Sequence, residues 1–204
     1  AAARRADRLL GVDLSYRHTA GMKQIRDLVR SGELGRIFAA ELTFHNAYGP
    51  DKAWFHDASL SGGGCLIDLG THLVDLVLWT LDVSSAAEVS GRLYAKGHAL
   101  AGAPRGVEDY ATAALLLENG AEVRIACSWN LHGGQDADIS AVFYGDEGGA
   151  AFRNLGGSFY DFTAERLSGT SRETLAVPPD AWGGRAIVDW AGRLAAGSGF
   201  DLEA

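Results

Sequence analysis

The spacing of apolar residues predicts two helices in the first part of the chain. In MKQIRDLVRSG, residues 22–32, apolar side chains return every three or four positions, which is the period of a helix with one buried face. Gly32 follows as a stop signal. A second, strongly apolar helix is predicted over residues 62–82, where a glycine triplet opens GGGCLIDLGTHLVDLVLWTLD. Residues 1–10, rich in Ala, Arg and Leu, are typical of the end of a further helix.

Alternation of apolar and polar residues predicts strands in much of the remaining chain. Residues 36–48, RIFAAELTFHNAY, have the period of two that a half-buried strand shows, and residues 11–17 form a shorter strand. Asn119-Gly120 is a hairpin signal in which both central residues favour positive φ, and Gly156-Gly157 marks a second hairpin. A closing helix is predicted over residues 182–197. The other predicted strands are residues 86–96, 108–118, 121–129 and 137–145.

The order of these elements predicts the fold class. Two helices followed by a run of hairpins indicate an α+β fold, an open, predominantly antiparallel or mixed β-sheet with helices packed on one face. Residues 19–204 form this domain, which is expected to be truncated at its C-terminus because SGFDLEA provides no clear ending. A chain that begins inside a helix feeding a strand, residues 1–18, is expected to follow a missing N-terminal part.

Charge and composition exclude several classes of function. The chain carries 26 Asp and Glu against 18 Lys and Arg, a net charge of −8, which disfavours nucleic acid or an anionic membrane as a partner. Its apolar stretches are interrupted by Asp or shorter than the ~20 residues of a bilayer span, and no secretory signal is visible. Two cysteines, Cys65 and Cys127, form no CxxC motif and are expected to be reduced, buried thiols of a cytoplasmic protein.

One pair of titratable residues is a candidate for chemistry. Asp68 and His72 lie four residues apart on the second helix, so both are expected on one face, just after a glycine triplet where the backbone can approach a ligand. A carboxylate beside an imidazole tends to raise its pKa and orient it for proton transfer. Two structural alternatives stay open, because the helix amides alone stabilise an Asp in the first turn and His72 can be a partly buried partner of Asp68.

Other sites have weaker signals. The pair Asp68/His72 could share a metal ion, but no third ligand has suitable spacing, so no metal is expected. Neither a GxGxxG nor a GxxxxGK[ST] loop is present, nor a GxSxG elbow. Arg17, at a strand end, is a candidate contact or a surface ion-pair partner. His45 lies at another strand end, and Trp54 is either a stacking residue or part of an apolar flap with Phe55.

Several segments together resemble the C-terminal domain of the Gfo/Idh/MocA oxidoreductases, which include sugar and inositol dehydrogenases. The resemblance extends from about residue 4 to residue 150, and SGGGCLIDLGTHLVDLVLWTLD placed after RSGELG is its most specific part. The other matching segments are SYRHTAGMKQIRDLVRSGELGRI, the Trp54 loop, VEDYATAALLLENG and FYGDEGGA.

The resemblance implies an activity for the complete protein. An N-terminal Rossmann domain, of which residues 1–18 would be the last helix and strand, would bind NAD or NADP and carry a catalytic lysine. The present domain would hold a sugar or cyclitol through Arg17, His45 and Trp54, and assemble into a homo-oligomer through its outer sheet face. His72 would exchange the hydroxyl proton, with Asp68 positioning the oxygen, while hydride passes to or from the nicotinamide.

Two departures from the family pattern limit what this chain is expected to do. Without the Rossmann domain and its lysine, the isolated chain should bind cofactor poorly and be inactive. Phe55 stands where many members have an arginine near the nicotinamide, which leaves Trp54 as the candidate cofactor contact. A non-catalytic interaction or scaffold domain of the same fold is the alternative function.

Overall fold

A computed structural model describes residues 1–100 and 106–201 and shows one open sheet with helices on one face. The strands are β1 (Ile37–Asn46), β2 (Ala86–Ala95), β3 (His98–Ala99), β4 (Tyr110–Leu117), β5 (Glu122–Ser128), β6 (Ala137–Gly145), β7 (Gly149–Asn154), β8 (Phe162–Ser168) and β9 (Ser171–Ala176). Their order across the sheet is β3-β2-β4-β5-β1-β6-β7-β8-β9. The β1–β5 pair is parallel and the other pairs described are antiparallel, which confirms the predicted α+β class.

Two of the five α-helices in the described residues cover one face of the sheet. The helices are α1 (Ala2–Ala6), α2 (Ala20–Ser31), α3 (Ala58–Ser61), α4 (Thr71–Leu81) and α5 (Arg185–Ala195). The hydroxyl of Thr19 caps α2 by accepting the Met22 amide at 3.2 Å, and Gly32 ends it at a φ of 77°. Helices α2 and α4 lie against each other and bury apolar side chains over the sheet, among them Met22, Ile25, Leu73 and Val77.

Strand β1 shows the predicted alternation with one interruption. Ala40, Leu42 and Phe44 are buried beneath the helices, but Phe38 is 48% exposed and Ile37 is buried in its place. The pairing of β1 with β6 shifts between Ile37 and Ala39, and an extra residue in a strand turns the side chains before it to the opposite face. The face of the sheet away from the helices therefore carries Glu41, Thr43 and His45, and is called the open face below.

The turn between β4 and β5 differs from the prediction. The hairpin predicted at Asn119-Gly120 is confirmed, because β4 and β5 pair antiparallel around it. The expectation of positive φ at both residues is wrong, since Gly120 has a φ of 84° but Asn119 is absent from the described residues with positive φ. The Leu117 amide donates to the Ala121 carbonyl at 2.9 Å, and the loop between them has three residues. Such a loop needs positive φ only at its last position, which glycine supplies.

The N-terminal segment forms no strand. Residues 11–17, predicted as a strand, are irregular up to a 3₁₀ turn at Ser15–His18, and the helix predicted over residues 1–10 is only α1. Local turn bonds use the amides that a strand would offer to a neighbour, since the Arg17 amide donates to the Leu14 carbonyl at 3.2 Å. The segment rests on the C-terminal helix, because Gly11 packs against the Trp190 indole. Helix α5 begins after Gly184, whose φ of 81° lies outside a helix.

One helical stretch among the described residues, Ala58–Leu81, is long and apolar enough to cross a membrane by length and composition alone. Asp68 and Asp75 interrupt this stretch, as expected from the sequence for the longer apolar segments. A buried core helix passes the same test, and Leu73, Leu76 and Val77 of this stretch lie in the core over the sheet.

Candidate functional site

A buried carboxylate organises the glycine triplet at the start of the apolar helix. Glu108 precedes β4, and its Oε1 accepts the amides of Gly64 and Leu66, both at 2.9 Å. The Cys65 amide donates to the Glu108 carbonyl at 3.0 Å. A Cβ on Gly64 would lie 1.9 Å from that carbonyl oxygen, so only glycine permits this approach. The candidate site thus lies where Glu108, just before β4, is hydrogen-bonded to the start of the helix that carries Asp68 and His72.

The helix is not regular at Asp68. Leu66–Gly70 form a π-helical turn, which leads into α4 at Thr71, and the expected α-helical spacing between Asp68 and His72 is replaced by this wider turn. Asp68 accepts the indole N–H of Trp129, with Nε1 and Oδ2 3.0 Å apart. In the described part of the chain no hydrogen bond joins Asp68 to His72, so the predicted pairing of these two side chains does not form, although they are close enough to interact electrostatically.

His72 lies half-buried among aromatic rings. Tyr16 contacts it edge-on with the ring centroids 5.4 Å apart, and the Phe44 centroid lies 6.4 Å away. Burial lowers the pKa of His72, while Asp68, Asp75 and Asp13 act in the opposite direction with smaller effects. The expectation that the carboxylate raises this pKa is therefore wrong in its net direction. The imidazole is neutral at neutral pH and can accept a proton.

An ion pair holds the next turn of α4. Arg17 donates from Nε to both carboxylate oxygens of Asp75, at 2.9 and 2.7 Å, and from Nη2 to Oδ1. Its guanidinium also lies 5.9 Å from the centre of the Trp79 ring. The Asp75 side chain is only 9% exposed, so Arg17 does form an ion pair, but a largely buried one and not the surface ion pair considered in the sequence analysis. Arg17 is thereby linked to the site through the helix that carries His72.

The Trp54 loop reaches the same site from β1. Trp54 is 45% exposed and stacks on Phe55, with the ring centroids 3.8 Å apart. Phe55 and His56 both contact the Trp129 ring edge-on, at centroid distances of 6.3 and 5.8 Å. Trp129 therefore lies between the loop and Asp68.

His45 does not belong to this assembly. It lies on the open face, next to Phe44, which points to His72 on the opposite face. His45 Nδ1 is 2.8 Å from the Ser128 hydroxyl oxygen, and its ring stacks on Tyr110 at 5.8 Å. Burial lowers the pKa of His45, with Asp138 opposing this effect. Its predicted contact with a substrate held by Asp68 and His72 is corrected by this placement.

Sequence reasoning missed Trp129, Glu108 and Asp75. The strand alternation of β5 contained a signal for the first, because Trp129 has the parity of buried Cys127 and therefore points to the helix side. An acidic residue just before an apolar strand, Glu108, was a weaker signal. Asp75 lies one helical turn after His72, and the spacing was visible, but its partner Arg17 could be found only in the structure.

The two cysteines meet beneath the site. Cys65 and Cys127 are buried free thiols with their Sγ atoms 4.0 Å apart, and each lies within 3.6 Å of the other's carbonyl oxygen. The hydrogen bond with Cys127 and burial raise the pKa of Cys65. The Cys65 thiol is therefore in the inert protonated form.

No group of three or more His, Cys, Asp or Glu side chains within residues 1–100 and 106–201 is placed to hold one metal ion. The metal alternative for Asp68 and His72 therefore has no third ligand among the residues that the structure describes.

Comparison with known proteins decides the family. The sequence model of the GFO/IDH/MocA C-terminal domain matches residues 22–151. The chain belongs to the Gfo/Idh/MocA family. Its glycine triplet, Asp68, His72 and Glu108 all lie within the matched region.

Curated members of the Gfo/Idh/MocA family include two similar sugar enzymes. D-glucoside 3-dehydrogenase of Escherichia coli (strain K12) is 26% identical over 158 residues, which are 72% of this chain and 45% of that protein. 1,5-anhydro-D-fructose reductase of Ensifer adhaerens is 28% identical over 156 residues, 76% of this chain and 44% of that protein. The chain thus spans less than half the length of these relatives.

Solved structures of the family share the fold. An aldose-aldose oxidoreductase from Caulobacter crescentus, complexed with glycerol, has a TM-score of 0.76 at 18% identity, covering 95% of this chain and 56% of that chain. Levoglucosan dehydrogenase in complex with NADH and levoglucosan has a TM-score of 0.72 at 21% identity, covering 93% and 58%. At these identities the likeness establishes the fold.

Proposed function

We propose that this chain is the substrate-binding and oligomerisation part of an NAD(P)-dependent oxidoreductase that acts on a hydroxyl or carbonyl group of a sugar or cyclitol. The observation that supports this most directly is the neutral His72 beside the fixed carboxylate of Asp68, at a turn opened by three glycines. The relatives point in the same direction, since they are named for a D-glucoside, 1,5-anhydro-D-fructose and levoglucosan.

The proposed chemistry assigns a proton to His72. In the oxidation direction the neutral imidazole accepts the proton of the reacting hydroxyl, and in the reduction direction it returns that proton to the new oxygen. Asp68 positions the substrate by accepting a hydrogen bond from one of its hydroxyls. The Arg17–Asp75 pair fixes the helical turn that follows His72 and acts on the substrate only through that helix.

The residues of this chain fit the substrate and not a whole dinucleotide. A nicotinamide cofactor, NAD or NADP, supplies the hydride acceptor or donor when it is bound. The glycine triplet is no cradle for its pyrophosphate, because Glu108 already occupies the amides of Gly64 and Leu66. A domain outside this chain would therefore hold the cofactor. Trp54, exposed on its loop, is the residue we propose to contact the substrate or the nicotinamide.

The isolated chain is expected to show no NAD(P)H oxidation with any aldose, ketose or cyclitol, whereas the complete gene product oxidises or reduces one of them. The physical reason is that hydride transfer needs a cofactor that this chain alone does not fit. The measurement is the change in absorbance of NADH and NADPH with a panel of polyols. Turnover by the isolated chain would contradict the proposal that a domain outside this chain holds the cofactor. No turnover by the complete protein, with NAD(P)H bound, would favour the scaffold alternative.

We propose that the open face joins copies of the chain. A groove of about 900 Å³ crosses it, lined by Thr43, Arg92, Thr112 and Arg124 among others. Light scattering is expected to give a mass at least twice 21.5 kDa. Ala126→Arg, which puts a long charged side chain in this groove, should reduce it to one chain, while Val188→Arg on exposed α5 should not. A monomeric unmodified chain would contradict the proposal.

A further inference from the structure

A single buried indole determines the direction in which Asp68 points. Trp129 is 3% exposed, and its Nε1 donates to Oδ2 of Asp68 at 3.0 Å. Hydrogen bonds to a charged acceptor are stronger than neutral ones, and here the donor belongs to a rigid ring. The carboxylate therefore cannot turn freely, although it lies near an imidazole that would attract it.

The ring of Trp129 is held from several directions. Its backbone amide donates to the Asp109 carbonyl at 2.8 Å, which fixes the chain at the end of β5. Phe55 and His56 contact the ring edge-on from the Trp54 loop. The donor of the Asp68 hydrogen bond is thus fixed by both the sheet and the loop.

We propose that Trp129 is a positioning residue, which holds Asp68 through its indole N–H so that the second carboxylate oxygen is presented to a substrate hydroxyl instead of pairing with His72. The use of Asp68 by a substrate rests on the function proposed above. The hydrogen-bonding pattern supports this inference, because Oδ1 receives no hydrogen bond from the described residues and none joins Asp68 to His72.

A test must separate the effect of Asp68 on the pKa of His72 from the effects of the other charged neighbours. Asp68 and Asp75 lie on the same helical segment, Asp13 lies on the N-terminal segment, and each acts on the imidazole electrostatically. Arg17 neutralises Asp75, and the Tyr16 phenol ring contacts the imidazole. Of the three carboxylates, only Asp68 is bonded to Trp129.

The test is a double-mutant cycle on the chain, read by the NMR titration of His72. Trp129→Phe removes the donor and keeps a ring, so the freed carboxylate can turn to the imidazolium and should raise the pKa of His72 by about half a unit or more. Asp68→Asn removes the carboxylate and should lower that pKa. The double variant should match Asp68→Asn alone, because Trp129 acts only through Asp68.

A control and a second measurement keep the outcome clear. Trp182→Phe also removes a buried indole hydrogen bond, the one to the Tyr160 carbonyl at 2.9 Å, and should leave the His72 titration unchanged. A shift of Trp129→Phe that persists in the Asp68→Asn background would overturn the inference. If Trp129→Phe does not fold, the Trp129 indole N–H in Asp68→Asn should exchange faster with solvent, and unchanged exchange would equally overturn it.

Kinetic measurements on the complete enzyme distinguish a failure of this inference from a failure of the proposed function. Trp129→Phe is expected to lower kcat at least about tenfold with a smaller effect on KM, and Asp68→Asn should do at least as much. An NMR cycle that holds while both variants keep full kcat would reject the role of Asp68 in the reaction, and with it the positioning role. A fall in kcat for Asp68→Asn alone would reject Trp129 as the positioning residue and leave the proposed function intact.

Discussion

His72→Asn in the complete enzyme is expected to lower kcat by about 10²- to 10⁴-fold, the range that one general acid–base residue contributes. The reason is that we propose the neutral imidazole as the group that accepts the hydroxyl proton, and asparagine does not accept a proton in the working pH range. Burial beside Tyr16 and Phe44 keeps that imidazole neutral. The measurement is steady-state kinetics with the identified sugar.

The lowered pKa of His72 also predicts the direction in which the rate changes with pH. Because burial lowers the pKa of His72, the rate of oxidation should rise with pH through a value below 6.5, the ordinary pKa of histidine, and be level above it. The rise should be absent in His72→Asn. His98→Asn, on the exposed edge strand β3, is the matched control and should keep both the rate and the profile. An unchanged rate in His72→Asn, with NAD(P)H still bound, would favour the scaffold function.

Gly64→Ala is expected to destabilise the chain by at least about 3 kcal/mol, at the upper end of the cost of overpacking. Its Cβ would lie 1.9 Å from the Glu108 carbonyl oxygen, a backbone atom that cannot rotate away. Relief requires the helix start and β4 to separate, which would also break the bonds from the Gly64 and Leu66 amides to the buried carboxylate. Leaving such groups unpaired adds its own cost.

Thermal unfolding measures this effect directly. For a domain of this size a loss of about 3 kcal/mol lowers Tm by roughly 6–12 °C. Gly192→Ala is the matched control, because the same methyl group meets open space on α5 and should stabilise the helix by about 0.5–1 kcal/mol. Equal Tm values for Gly64→Ala and the unmodified chain would show that the contact between Gly64 and Glu108 is not tight.

The elements could be predicted from the sequence where they depend on local periodicity. The strand at residues 36–48 and the helix at residues 22–32 are both present, because a repeated apolar face is enough to specify them. The strand at residues 11–17 is absent because a strand also needs a neighbour, which no local pattern reveals. The hydrogen bonds at the start of the helix that carries Asp68 likewise come from Glu108, which lies 44 residues from Gly64 in the chain.

The sequence indicated candidate residues of the site but not the contacts among them, because those contacts also join residues far apart in the chain. Spacing after a glycine triplet indicated Asp68 and His72 as candidates, but the burial that lowers the pKa of His72 comes from rings of two other segments. The partner of Asp68 is 61 residues away in the chain, and the partner of Asp75 is 58 residues away. The family resemblance correctly led to the fold, while the contacts among these side chains required the structure.

The parallel pairing of β1 with β5 has a consequence for how the recognised substrate can change. Because β1 and β5 run in the same direction, their last paired residues, His45 and Ser128, lie side by side, and the chain leaves both strands at one edge. The Trp54 loop and Trp129 emerge there next to Asp68. Insertions after residue 46 or residue 129 are therefore expected to enlarge loops beside Asp68, and to leave the strand register and the hydrogen bonds of Glu108 to the Gly64 and Leu66 amides unchanged. If the proposed function holds, the sugar that is recognised can therefore change while Asp68 and His72 stay in place.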